Sequence, residues 1–463
     1  MMPCMWVLLL WAAVAQASSL PERWIIAITE VTVIDVEHGR SVGPRTVLIE
    51  GSRIVAIGKP ADVRISANAQ RVAGRGRFLI PGLVDMHVHL FNNASHRPPN
   101  DWSFPLFIAN GVTAVREMNT LPTAIVQVNQ WRKRLAEGNL IAPRILAAGV
   151  AVRGSSPRDA ANQVEAAADA GADFIKVFSD VPAAHWRAIL DAAQVRALPV
   201  SGHVPAGVPL LVAAAAGQRT DEHLMQAFEA CSTIEAQLLD ARRGLDGDAL
   251  VARRDAEEAQ VLDAFDQATC EQVGKSLAAT GQVQVPTLVV PYEESIRTKE
   301  PPGNDPRRRY LRADEGARWE RILASITPHD DALAKRRWSV ASQIVAAFHR
   351  TRVPMLAGTD TPMPGVYPGF SLHEELALLV ASGLTPREAL RSATLAPAEF
   401  LGIAATAGSV AVGKRADLVL LDADPSKDIR NTRRIDAVLL DGRLLRRPAL
   451  DALLAAAAGA PAP

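Results

Sequence analysis

The sequence predicts an α/β protein: a (β/α)8 TIM barrel joined to a small β-sandwich domain assembled from both ends of the chain. Three observations carry this expectation. The 463 residues accommodate a barrel of about 250 residues plus a smaller domain. Strand-like segments in the middle of the chain alternate with alanine-rich, amphipathic ones, whereas strand-only texture is confined to the two ends. Hydrophobic residues make up 48% of the chain, enough for a large core, and 50 Lys+Arg balance 50 Asp+Glu. A zero formal charge leaves no electrostatic footprint for nucleic acid or an anionic membrane. The expected partner is therefore a small-molecule substrate.

Taken in order, the first element is an address. The apolar run Trp6 to Ala15, "WVLLLWAAVA", followed by the small-x-small pattern Ala15-Gln16-Ala17, predicts a signal peptide over residues 1–17 and a periplasmic or secreted protein. The run is too short for a permanent transmembrane helix, and Cys4 precedes it, so it is not placed as a lipid-bearing residue after cleavage. Cys231 and Cys270 can pair in an oxidising compartment or stay as two buried thiols; the sequence leaves both open.

The segments "AITEVTVIDV", "TVLIEGSRIVAIG" and "AQRVAG" from Ala27 onward read as short strands with no helix between them. The same texture returns as "GSVAVGKRADLVLLDA" from Gly408 and "IDAVLLDGRLLR" from Ile435, where Asp441-Gly442 is a hairpin signal. Residues 24–80 and 405–450 are thus expected to form one β-sandwich domain. Residues 81–404 are expected to form the barrel. Its eight strand candidates are "LVDMHVHL" from Leu83, "VTAVREM" from Val112, "RILAAGV" from Arg144, "DFIKVF" from Asp173, "LPVSGHV" from Leu198, "RTDEHL" from Arg219, "VQVPTLVV" from Val283 and "VPMLAGTD" from Val353. Residues 225–282 and the polar, proline-bearing stretch from Arg297 are longer than barrel helices require and read as insertions at the rim.

His87 and His89 sit two apart on the first barrel strand, so both side chains face one way, and the C-terminal end of a barrel strand is the active-site mouth. Four more polar residues fall at the ends of separate strands: Lys176 in "FIKVF", His203, His223 and Asp360. A lone ammonium on a parallel strand buried on both faces is costly, which marks Lys176 as functional. The nitrogen and oxygen donors, with no thiolate among them, suit zinc and also manganese, cobalt or iron.

This ordered set, with "LIPGLVDMHVH", "GVTAVREM" and "GKRADLVLLD", resembles the amidohydrolase superfamily of metal-dependent hydrolases across nearly the whole mature chain. Within it the sequence is most similar to the imidazolonepropionase-like and prolidase-like branch. The resemblance implies two divalent metal ions, most simply zinc, and a Lys176 carboxylated by carbon dioxide that bridges them. It further implies His87, His89 and Asp360 around the more buried metal, and His203 and His223 around the more exposed one. Asp360 then acts as base and later as acid while water attacks a C–N amide bond in a dipeptide, an N-acyl amino acid or a cyclic amide.

Other readings of the same residues stand beside this one. His223 can serve as a core histidine hydrogen-bonded near Asp221 and Glu222, and Lys176 can pair with an acidic neighbour such as Asp180 to leave a mononuclear site. A lactonase or phosphotriesterase-like esterase would use the same centre, and a binding protein would hold metal without turnover. His373-Glu374-Glu375 is no zinc helix, because Ala377 stands where HExxH requires histidine; it opens the amphipathic segment "LHEELALLVASG". His38, His185, His329 and His349 have no partner spacing and read as surface or helix residues; His96, in the loop after the first barrel strand, is the exception. Tyr292 and Arg307 to Arg309 either line a pocket or form a solvated face. No GxSxG occurs, which argues against a serine hydrolase. Oligomeric state is open, a homo-oligomer included.

Overall fold

The computed structural model describes residues 25–91 and 98–459, so the predicted signal peptide and His96 lie outside the described residues. Both chain ends enter one mixed sheet. Its strands are β1 (Ile25–Asp35), β2 (Arg40–Glu50), β3 (Arg53–Gly58), β4 (Gln70–Ala73), β5 (Phe78–Pro81) and, from the far end, β13 (Leu418–Leu421), β14 (Ile435–Leu440) and β15 (Arg443–Arg446). The order is β15-β14-β13-β5-β1-β2-β3, with β4 also on β1. The ends meet where β13 pairs antiparallel with β5, Leu418 opposite Pro81 and Leu421 opposite Phe78. Register shifts between Ile28 and Val33 let the long β1 serve β4 with its first half and β5 with its second. Ile28, Val47, Leu79 and Leu420 share the resulting core. Asp441 and Gly442 turn the β14–β15 hairpin with φ of 50° and 77°, the pair of positive angles that a two-residue turn between twisted strands requires.

The middle of the chain is TIM-barrel-like. Strands β6 (Leu83–Val88), β7 (Val112–Thr120), β8 (Arg144–Ala151), β9 (Phe174–Val177) and β10 (Val200–Gly202) form a five-stranded parallel half-barrel in sequence order. β11 (Thr220–Glu222) and β12 (Val283–Val285) form a separate parallel pair. Their residues are buried on both faces, the pattern of parallel strands covered by helices.

Two strand expectations are corrected. "VQVPTLVV" is a strand only through Val285; Val289 already begins the helix Val289–Ile296. The buried Glu375 carboxylate accepts the Val289 amide at 2.8 Å, and Thr287 turns the chain at φ 47°. "VPMLAGTD" is not a regular strand. It bridges β12 and β6 by scattered bonds: Leu356 N to Gln284 O, Met86 N to Ala357 O, Asp360 N to His87 O and His89 N to Thr361 O, at 2.8–3.0 Å. Pro354 lacks an N–H for a ladder, and Gly358 passes so close that a Cβ there would lie 2.8 Å from Val285 Cγ1 and 2.9 Å from His87 Cβ.

The insertions are helical caps over the barrel mouth. Cys231 and Cys270 are joined by a disulfide across a sequence separation of 39, which closes the neck of the 232–266 excursion. Hydrogen bonds from Thr233 N to Ala264 O and Asp266 N to Cys231 O, both 2.9 Å, flank it. Loop-closure entropy for that length gives roughly 3–4 kcal/mol of stabilisation. Replacing both cysteines by serine should therefore lower the denaturant midpoint, as followed by circular dichroism.

His373 fastens the helix Phe370–Ala381 to the end of the barrel opposite the mouth. It is buried, with Nε2 3.0 Å from the Asn110 carbonyl and Nδ1 2.9 Å from Thr432 Oγ1. Burial, helped by Arg433, pushes its pKa down from 6.5 to about 3. Below pH 6.5 the unfolded chain takes up a proton that the folded one refuses. Stability should fall by about 1.4 kcal/mol per pH unit from there toward the folded pKa. A His373→Gln variant should show a flatter acid limb in urea titrations between pH 7 and 5.

Candidate metal centre

Six polar residues named from the sequence converge at the C-terminal ends of β6, β9, β10 and β11 and on the 354–361 segment. His87, His89 and Asp360 present ligand atoms within 4.8 Å of one another. Asp360 Oδ1 lies 2.7 Å from His89 Nε2 and 3.2 Å from His87 Nε2. The His87 ring is 4.6 Å from that of His223, which is 5.0 Å from that of His203, centroid to centroid. Lys176 is fully buried, pairs in register with Ser201 of β10 and has its Nζ 5.0 Å from the Phe178 ring.

The backbone that carries these groups is unusual. His223 and Asp360 both take left-handed conformations, φ 66° and 64°, which cost free energy in a residue with a Cβ and concentrate at functional sites. His223 turns the chain just after β11, and Asp360 turns the irregular 354–361 segment.

Charge states follow from surroundings. Burial lowers His223 to about 3, and burial with Lys176 holds His203 far below its ordinary value. Both imidazoles are therefore neutral. Burial disfavours the Asp360 carboxylate, but His223, His87 and His89 outweigh it and keep Asp360 ionised. Burial pushes the Lys176 ammonium down to about 8 against the pull of Glu222 and Asp360. Neutral imidazoles beside an ionised carboxylate are the states a cation requires of its ligands.

Among the described residues, three buried polar atoms in this cluster make no hydrogen bond of good geometry: Lys176 Nζ, His203 Nδ1 and His87 Nε2, the last 3.2 Å from Asp360 Oδ1. Unsatisfied buried donors and acceptors are costly, and their convergence fits a cationic occupant held by these side chains. Lys176 is not paired with Asp180, whose carboxylate takes the Arg153 guanidinium at 2.8 Å; the carboxylates that act on its ammonium are Glu222 and Asp360.

A second layer was not legible from the sequence. Glu222 accepts His87 Nδ1 at 2.7 Å and Arg116 Nη2 at 2.8 Å, and Arg116 and His87 keep its carboxyl far below the usual range despite burial. His87 is thus set with Nδ1–H on a carboxylate and Nε2 toward Asp360, the orientation that raises an imidazole's basicity as a ligand. Asp85 braces the other side, accepting Thr359 Oγ1 at 2.7 Å and the His87 amide at 3.2 Å. Glu117 accepts the Leu90 and Asn119 amides. The clue available in the sequence was Arg116-Glu117, two charges side by side in a strand that had to be buried.

His223 Nδ1 meets Thr287 Oγ1 at 2.8 Å, which turns its other nitrogen toward the cluster; nothing in the sequence around Thr287 announces this. Thr287→Val keeps the shape and removes the hydroxyl. Metal affinity should fall by about 10- to 100-fold, as read by competition with a chromogenic chelator.

The cluster opens into a cavity of about 1020 Å³ lined at its base by His89, His203, His223 and Asp360. Phe91, Phe178, Phe228 and Leu333 supply apolar wall, and the caps contribute a charged rim that includes Arg318 and Arg337. Tyr292 and Arg307 to Arg309 do not line it. Arg307 is instead spent on Asp305 and Glu374.

Comparison with known proteins agrees with this geometry. Residues 336–445, which contain Asp360, match the family model for the Amidohydrolase family. The imidazolonepropionase of Pseudomonas savastanoi pv. phaseolicola is 42% identical over 86 residues, 18% of this chain and 21% of that protein. The chain covers about a third, or less, of the length of the curated relatives it matches. Among solved structures, the bottromycin amidohydrolase is 25% identical with a TM-score of 0.70, over 96% of this chain and 92% of the other. A Xaa-Pro dipeptidase at 20% identity and TM-score 0.65, covering 91% of this chain and 100% of the other, shares the fold. A family match over residues 336–445, which bear Asp360, short stretches of sequence likeness and full-length structural neighbours lead to one conclusion: the chain is similar to the amidohydrolase superfamily and shares its fold.

Proposed function

We propose that this protein is a metal-dependent hydrolase acting on a C–N amide bond, prolidase-like in branch, with His87, His89, Lys176, His203, His223 and Asp360 holding two divalent cations, most simply zinc. The observation that carries the reading is Lys176: fully buried, without a hydrogen-bond partner among the described residues, and beside the neutral His203 and His223. As an ammonium it would repel a cation, whereas its carbamate is a carboxylate with one oxygen for each of two. Family relatives and the amidohydrolase neighbour support the C–N bond as the target.

When bound, the cations supply Lewis acidity and lower the pKa of a coordinated water. The rest falls to the chain's own residues. Asp360, ionised at the cavity base, takes the proton of the attacking water and returns it to the leaving nitrogen, acting first as base and then as acid. Glu222 and Thr287 keep His87 and His223 in their orientations throughout. The apolar walls exclude water around the scissile bond.

The same reading takes residues 81–404 as an eightfold barrel with 354–361 as its irregular eighth strand, and 24–80 with 405–450 as the sandwich domain. Support comes from the backbone bonds that link 354–361 to both β12 and β6. It also places the protein in the periplasm or outside the cell, where a disulfide such as Cys231–Cys270 persists.

The test is metal analysis of purified protein with and without bicarbonate, joined to a rate panel of dipeptides, N-acyl amino acids, cyclic amides, lactones and phosphotriesters. Two equivalents of metal and turnover of an amide class are expected. Full metal occupancy with no amide turnover would remove the proposal, and exclusive lactone or phosphotriester turnover would replace it with an esterase.

A further inference from the structure

The hydroxyl that orients His223 belongs to a residue in an unfavourable conformation. Thr287 sits at φ 47°, in the left-handed region, which a β-branched side chain avoids and which persists only where the surroundings impose it. Its own segment supplies no such constraint. The helix Val289–Ile296 starts two residues later, and no side chain of its N-cap residue, Leu288, caps it. Leu288 and Val289 are nevertheless fully buried, and the first amides of a helix have no acceptor within it.

The acceptor comes from another helix. Glu375, fully buried on the helix Phe370–Ala381, takes the Val289 amide on Oε2 at 2.8 Å and a further hydrogen bond from the Leu288 amide. One carboxyl thus fixes the two residues that follow Thr287. Its Oε1 has no hydrogen-bond partner among the described residues. Burial pushes this carboxyl up to about 8 against the two amides, and the buried Asp85 carboxyl adds to the rise. Near pH 7 the group is a neutral acid, which glutamine copies in length and charge.

We propose that Glu375 is a positioning residue for the metal centre: by pinning the backbone after Thr287 it fixes the hydroxyl that meets His223 Nδ1, and so sets how tightly His223 grips a cation. The inference rests on the reading of His223 as a metal ligand and extends it to a residue that touches neither cation nor substrate. The linkage runs from Glu375 Oε2 through the Val289 amide to Thr287, and from Thr287 Oγ1 to His223 Nδ1, with 2.8 Å at each hydrogen bond. Orienting partners of this kind act on a ligand's affinity without contacting the metal.

The test is a double-mutant cycle on zinc affinity, read by competition with a chromogenic chelator. Glu375→Leu removes the acceptor and should weaken the zinc held by His203 and His223 by about 10-fold, the lower end for groups that orient a ligand from outside. Glu375→Gln, which keeps a neutral acceptor of the same length, should restore the affinity. Because the effect passes through one hydroxyl, Glu375→Leu placed on Thr287→Val should add nothing further. A purely structural role would lower the melting temperature and leave zinc affinity alone, or add its full loss on the Thr287→Val background; either result overturns the proposal. If Glu375→Leu does not fold, Glu375→Asp, one methylene short of the amides, takes its place in the cycle. Nitrogen NMR of metal-free protein with isotope-labelled histidine separates this from failure of the metal reading. The His223 ring signals, assigned by their loss in His223→Gln, should report a single tautomer, Nδ1–H, in wild type and Glu375→Gln, and a mixture in Glu375→Leu. If wild type takes up no zinc and the tautomers still redistribute, the linkage stands and the metal reading falls. An unchanged tautomer in Glu375→Leu sinks the linkage whatever the metal content.

Discussion

Asp360→Asn should reduce kcat by about 10²- to 10⁴-fold, the range for loss of a positioned general acid–base group, with little change in thermal unfolding. Asparagine is the informative replacement. Residue 360 sits at φ 64°, a conformation that asparagine adopts more readily than most residues, so the backbone turn survives. Its neutral amide keeps one ligand oxygen but cannot take a proton from water. A metal count that stays near two, combined with lost turnover, would separate proton transfer from metal binding. An Asp360→Asn enzyme with turnover within threefold of wild type would show that the proton moves elsewhere.

Lys176→Met carries the second large effect. Methionine matches the length of the buried stem without the amine, so packing against Phe178 and Gly202 persists. The variant should bind about one metal equivalent where wild type binds two, and lose most of its turnover. Dialysis of wild type against carbon-dioxide-free buffer should lower its metal content, and bicarbonate should restore it; Lys176→Met should not respond. An unchanged count of two in the variant would remove the bridging role. In the metal-free protein the substitution is expected to cost no stability, because it replaces a buried amine without a hydrogen-bond partner among the described residues by an apolar group.

Much of the site was visible in the sequence because five of its six residues lie at or just past the end of a recognisable strand. His87-x-His89, Lys176, His203 and His223 follow apolar segments whose burial on both faces makes a polar residue conspicuous, and the structure brings them together with Asp360. Asp360 was placed at the end of an eighth strand; it sits instead on an irregular segment held by single bonds to β12 and β6. The supporting contacts were not visible. Glu222 reaches His87 across 135 positions and Thr287 reaches His223 across 64, and no local pattern encodes a partner at such separations. The Cys231–Cys270 pairing was open for the same reason.

The order of strands and helices, the residue types at each strand end, and the β-rich character of both termini are local properties, written in periodicity and composition. Which carboxylate orients His87, which hydroxyl orients His223, and how strands over 300 residues apart meet at β5 and β13 are decided only when the chain closes on itself. Periodicity reports burial of one side chain relative to its neighbours in sequence, whereas hydrogen-bond partners and charge states depend on groups brought close by the packing of the whole.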